Sequence, residues 1–204
     1  MKKAILIVVI ILILLTIFQS YTTMTTNKTE TQGYTVISKE TDFEVRHYPA
    51  AVIAKISSTS SSYKELGSFG FGKLATYIFG GNNQNKQIAM TSPVHMDIGD
   101  SVSTMAFVMP ASMHKEDLPV PNNADIAIET TTPEYVAVIR FGGFASTERI
   151  NEYKVKLQSI LKSKGMTYQG NFRFLGYNPP YQLFGRRNEV IVSLKIESLS
   201  EYRI

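Results

Sequence analysis

Cysteine is absent from the 204 residues, which excludes both a disulfide framework and a thiol nucleophile. Histidine is scarce: His47, His95 and His114 are the whole complement, and none stands at zinc-motif spacing from another histidine or a carboxylate. No G-x-S-x-G elbow occurs. Asp97 and Asp100 lie near His95, but a Ser-His-Asp set also needs a placed nucleophile and an oxyanion hole, and no pattern supplies them. The glycine-rich GSFGFGK lacks G-x-x-x-x-G-K-[ST], because Leu74 follows Lys73, and it lies inside a helix-like run. A basic cluster is missing too. Residues 1–33 hold Lys2, Lys3, Lys28 and Glu30; without them 21 basic and 17 acidic side chains become 18 and 16, a net charge of +2. That balance offers nucleic acid no footprint. No enzyme class gains positive support, so the chain reads as non-catalytic.

The N-terminus does carry a signal. After Met1-Lys2-Lys3 comes AILIVVIILILLTIF, residues 4–18, in which Thr16 is the one polar residue. At 1.5 Å per residue this run spans about 22 Å, short of the ~30 Å hydrocarbon core, and uncharged QSYTTMTT extends it. Residues 1–25 read as a signal peptide or an N-terminal membrane anchor. The lack of an A-x-A cleavage site favours the anchor, and Lys2 and Lys3 favour a cytoplasmic N-terminus. The rest then faces the periplasm or cell exterior, secreted if the segment is cleaved. Residues 26–33 read as a polar tether and 34–204 as one domain.

Within that domain, strand-like YTVISKE and FEVRHYPAAVIAKI precede a helix-like stretch over 63–79 that ends on Gly80-Gly81. QIAMTSPV and STMAFVMP follow, the latter with Met105, Phe107 and Met109 on one face. After the linker ASMHKEDLPVPNNA come DIAIET and EYVAVIRF. A second helix over 146–164 carries an Ile150, Tyr153, Leu157, Ile160 and Leu161 stripe, with Gly165 as its stop. NFRFLGYN and EVIVSLKI close the chain, with Val190, Val192, Leu194 and Ile196 on one side. Each half thus runs strand, helix, strand, strand. The order predicts an α+β fold of two pseudo-repeated halves whose sheets join into a curved or closed surface, with both helices packed outside and an apolar helix in front. Closure would protect the edges either half alone leaves open.

Aromatic and methionine side chains are plentiful, which suits an apolar pocket better than a carboxylate-lined one. In EVRHYP, His47 alternates with Arg46 and Tyr48; its imidazole suits either iron ligation or an internal hydrogen bond.

FGFGKLATYIFGGNNQNKQIAMTSPV closely resembles the signature region of the SOUL haem-binding family, F-x-x-L-x-x-Y-I-x-G-x-N leading to K-I-x-M-T-x-P-V. Phe71, Leu74, Tyr77, Ile78, Gly80, Asn82, Ile88, Met90, Thr91, Pro93 and Val94 match, with Gln87 in place of the frequent lysine. FEVRHYP is similar to the family's Y-E-V-R-x-Y, FGGFASTERI to its entry into the second helix, and LGYNPPYQLFGRRNEV to G-Y-N-x-P followed by R-x-N-E-V. The resemblance implies a distorted antiparallel β-barrel built from two α+β halves with two long helices, and a haem or related tetrapyrrole as partner and cofactor. Some members ligate iron through a histidine of the first conserved strand, a role that falls on His47 here, and others hold the tetrapyrrole in a shallow apolar groove without such a ligand. Phe71, Leu74, Tyr77 and Ile78 are the matching groove residues, and Arg46, Lys73 and Arg140 are basic side chains suited to the propionates. The apolar N-terminus departs from the family's familiar cytosolic members. Two other readings stand beside the haem protein: an effector-binding module for another apolar small molecule, and a structural or interaction domain of the cell envelope.

Overall fold

The computed structural model describes residues 2–59, 62–99 and 102–199. Helix α1 (Lys2–Lys28) is followed by β1 (Glu30–Thr31), β2 (Thr35–Lys39), β3 (Glu44–Tyr48) and β4 (Val52–Ser58). Next come α2 (Tyr63–Ile78), β5 (Thr91–Ser92), β6 (Val94–Asp97), β7 (Ser103–Val108), β8 (Ile126–Thr130) and β9 (Glu134–Phe141). Helix α3 (Thr147–Ser163), β10 (Tyr168–Gly176) and β11 (Asn188–Leu194) complete the order.

Nine strands form one antiparallel sheet in the order β2-β3-β9-β11-β10-β6-β7-β4-β8. The two halves are visible in it. β4, β7 and β6 with α2 form one, β9, β11 and β10 with α3 the other, and they join where β6 pairs with β10. The closed barrel expected from the sequence is not formed: β2 and β8 end the strand order and do not pair with each other. Both edge strands are short, and β2 carries a register shift between Val36 and Ser38, devices that protect an open edge without closure.

The sheet is nonetheless strongly rolled. β3 and β4 are separated by residues 49–51 yet hold the second and eighth places in the order, and β8 and β9, separated by 131–133, hold the ninth and third. Four Cα steps reach about 14 Å at most, so the two edges must approach at that end. The single run FEVRHYPAAVIAKI therefore divides at Pro49 between opposite ends of the sheet.

Both helices pack on the outer face. α2 is capped by Ser62, whose Oγ accepts from Glu65 N at 3.2 Å, and buries Leu66, Leu74, Tyr77 and Ile78. Gly70, which weakens the helix by propensity, lets it approach β7: a Cβ there would meet Met105 at 3.2 Å. α3 buries Leu157 and Leu161 and stacks Tyr153 on Phe141 at 4.3 Å. Val190, Val192 and Leu194 join this core as expected; Ile196 lies in a 3-10 turn beyond β11 and is 81% exposed. The inner face holds a second, smaller cluster of Tyr48, Val136, Val138, Leu175, Tyr177 and Ile191.

The apolar N-terminal stretch is a single helix of 27 residues, long and apolar enough by length and composition to cross a membrane. Where a tether was expected, α1 runs to Lys28 and β1 pairs in parallel with β5; Gln32 N then donates to Ser92 O at 2.7 Å.

Candidate functional site

The signature stretch is a structural corner. Gly80 has φ +107°, and a Cβ at Gly81 would lie 2.6 Å from Thr76 O, so both positions need glycine. Asn82, buried, then holds the turn: its Nδ2 donates to Tyr77 O and Lys86 O, and its Oδ1 accepts from Gln84 N and Lys86 N. Thr91 Oγ1 donates to Val108 O at 2.5 Å, tying β5 to the end of β7. Met90 is more than a third exposed.

The candidate residues do not converge. Alternation along β3 puts Arg46 on the inner face and His47 on the outer. Arg46 is buried; its guanidinium donates to Glu189 at 2.9 and 3.1 Å and to Glu44 at 2.8 Å. Glu189 also accepts from Arg187 at 2.8 Å and from the Tyr177 hydroxyl at 2.8 Å. Burial works to raise the Glu189 pKa, but the hydrogen bonds and charges of the two arginines hold it below the usual carboxylate range. Burial and the Glu189 charge push the Tyr177 phenol well up. Arg46 is thus committed to the fold, not open to a propionate. Sequence reasoning missed Glu189, Arg187 and Tyr177; charges of opposite sign inside two apolar strand segments were the signal.

His47 is half-buried, its ring centroid 4.7 Å from that of Tyr135. Among the described residues no hydrogen bond holds its imidazole. α2 packs chiefly on β4 and β7 and not on β3, so His47 and the α2 candidates lie against different strands. Leu74, Tyr77 and Ile78 are core residues, Tyr77 also donating to Pro119 O at 3.0 Å. Phe71 is partly exposed and packs edge-on against Phe107. Lys73 pairs with Asp125 at 2.7 Å beside an open depression of about 540 Å³ lined by Thr76, Tyr77, Asn122 and Ile126. Arg140 is exposed, with inner-face parity alongside Val136 and Val138, away from His47.

A second concavity lies inside the roll. It measures about 210 Å³, and both halves line it, with Lys55, His95, Asp97 and Thr104 from one and Glu134 and Arg173 from the other. His95 Nε2 lies 2.7 Å from Gln32 Oε1, and Arg173 donates to Glu134 at 2.7 Å. Enclosure by packed atoms, reinforced by the Arg173 charge, lowers the His95 pKa to about 3, so its ring is neutral at pH 7. Among the described residues no cluster of three metal-ligating side chains occurs.

The profile of the SOUL heme-binding protein family matches residues 29–193. Heme-binding protein 2 of Homo sapiens is 33% identical over 167 residues, covering 78% of this chain and 81% of the relative. Heme-binding protein 1 of Bos taurus is 30% identical over 173 residues, covering 79% and 90%. Among solved structures, the C-terminal domain of EcmrR aligns with a TM-score of 0.59 over 79% of this chain and 98% of that one, at 7% identity. A hydrolase from Listeria innocua aligns at 0.55 over 78% and 94%, at 6% identity. At such identities these two likenesses show a shared fold and nothing more.

Proposed function

The chain belongs to the SOUL heme-binding protein family, and from that premise we propose that it binds haem or a related tetrapyrrole without catalysis, held at a membrane by α1 with its domain on the exported side. The observation that carries this reading is the family match over residues 29–193. The tether reading is supported by a 27-residue apolar helix with two lysines at its start.

On the outer face, the fit to a tetrapyrrole rests on His47. Its half-buried imidazole, beside Tyr135 and without a hydrogen bond among the described residues, is available as an axial ligand. Haem, when bound, supplies the iron and a planar apolar ring; the chain supplies the imidazole and the flanking aromatic surface. Arg46 and Arg140 do not fit the role of propionate partners for a haem on His47, because they take the opposite face. The depression beside α2, with Lys73 at its rim, is the competing seat, and its volume falls in the range of ordinary ligand sites.

A second reading has one specific observation in its favour. The groove inside the roll is lined by both halves and lies on the face away from His47, as an effector-binding module would have it.

The test is a haemin titration of the full chain in detergent, against detergent alone, followed in the Soret region. A saturable one-to-one shift that changes in His47→Ala supports His47 ligation. An equal shift in His47→Ala that weakens in Lys73→Ala moves the tetrapyrrole to the α2 depression. No saturable shift in any of the proteins sinks haem as the ligand.

A further inference from the structure

Resting on the membrane-anchored reading, we propose that the loop 178–186 is a second membrane contact, immersing Tyr181, Leu183 and Phe184 at the headgroup–acyl boundary beside α1. These three side chains are 57%, 48% and 71% exposed, a concentration of large apolar groups on one loop of the domain. The loop is built to hold them out. Arg186 donates to Pro179 O and Gln182 O at 2.7 Å each, and Gln182 is buried beneath, donating to Phe184 O at 2.9 Å. The carbonyls of Pro179, Gln182 and Phe184 are thus satisfied by side chains of the loop itself, which lowers the cost of an apolar surrounding.

Its position relative to α1 identifies the occupant. Gln19 clasps the loop from both sides of its amide, Nε2 donating to Tyr181 O at 3.0 Å and Oε1 accepting from Leu183 N at 2.9 Å. The Phe18 and Tyr181 rings are 6.3 Å apart. The loop is thus fastened at the level of residues 18 and 19, where the run of residues 4–18 ends. That run is short for a bilayer by about 8 Å, or roughly five helical residues. A helix so short draws its uncharged continuation, Gln19 to Thr23, into the membrane edge, and the loop tied to Gln19 goes with it. A phenol and a phenyl ring with aliphatic neighbours suit that boundary.

The sequence holds no tryptophan, so one introduced indole reports one place. Full-length Leu12→Trp, Phe184→Trp and Val120→Trp, each reconstituted in phosphatidylcholine–phosphatidylglycerol vesicles, are compared with and without brominated acyl chains. Val120 is exposed in the segment beside the turn after α2, where its amide donates to Asn83 Oδ1, and it belongs to neither α1 nor the loop. The expected result is quenching of Leu12→Trp and of Phe184→Trp by about twofold, with Phe184→Trp more sensitive to bromines near the headgroup and Val120→Trp unchanged. Quenching of Leu12→Trp with none at Phe184→Trp overturns the loop contact and leaves the anchor standing, the loop then being free for a protein partner. Absence of quenching in both removes the anchor and the loop contact together. Tyr181→Trp repeats the measurement if Phe184→Trp fails to fold.

Discussion

Arg46 and Glu189 form a buried bidentate ion pair, 2.9 and 3.1 Å long, between side chains that are 3% and 0% exposed. The pair joins two strands that are not neighbours, β3 and β11, across β9, and Arg187 and Tyr177 complete the shell around the carboxylate. Removing the anion strands two guanidinium groups on the inner face. Glu189→Ala is expected to destabilise the domain by about 3–5 kcal/mol. Chemical denaturation in detergent measures it; a loss under 1 kcal/mol would show that the network is dispensable.

His95 makes stability depend on pH in a defined window. Its pKa is about 3 in the folded protein against 6.5 for the free side chain, so below pH 6.5 the unfolded chain takes up a proton that the folded one refuses. Stability therefore falls as pH drops from 6.5 toward 3, with a slope of at most about 1.4 kcal/mol per unit. Carboxylates such as Glu189, held below their ordinary 4.5, add their own losses only under that value. Between pH 6.5 and 4.5 the slope should flatten in His95→Gln. An unchanged slope in that variant would assign the effect to other groups.

Leu74 and Phe79 separate core from surface on the same helix end. Leu74 is fully buried and Phe79 is 64% exposed. Leu74→Ala is expected to cost about 2–5 kcal/mol, and Phe79→Ala to stay within about 0.5 kcal/mol. Thermal unfolding of both checks the contrast. A haemin affinity that drops in a folded Leu74→Ala protein would return this residue to the binding site.

Gly81 tests the corner after α2. A methyl group there would stand 2.6 Å from Thr76 O, a backbone atom that cannot move without opening the helix end. Gly81→Ala should cost about 1–3 kcal/mol, whereas Gly72→Ala, where a Cβ meets nothing within 4 Å and the helix gains propensity, should be neutral or stabilising. Equal melting temperatures for the two variants would refute the steric account.

Much of this was readable along the chain. Alternation in β11 placed Val190, Val192 and Leu194 together, the α3 stripe placed Leu157 and Leu161, and the paired glycines after α2 marked a forced turn. The order of short motifs from FEVRHYP to GRRNEV carried the family. The functional residues were less legible. Arg46 and His47, adjacent in one motif, were both candidates, yet the pleat sends one into a buried ion pair and leaves the other half-open.

Period and breakers are local and could be read along the chain: an apolar N-terminal helix, two amphipathic helices, the shared faces within β7 and β11, and a duplicated strand-helix-strand-strand order. Tertiary structure alone decided which strands became neighbours. It split one apparent strand at Pro49 between the second and eighth places of a rolled sheet, left β2 and β8 unpaired where closure was expected, and brought Glu189 beneath Arg46. Such outcomes depend on contacts between residues far apart in the chain, up to the 143 positions between Arg46 and Glu189, whose register is set by packing two helices on one face and burying charge on the other. No local pattern carries that information.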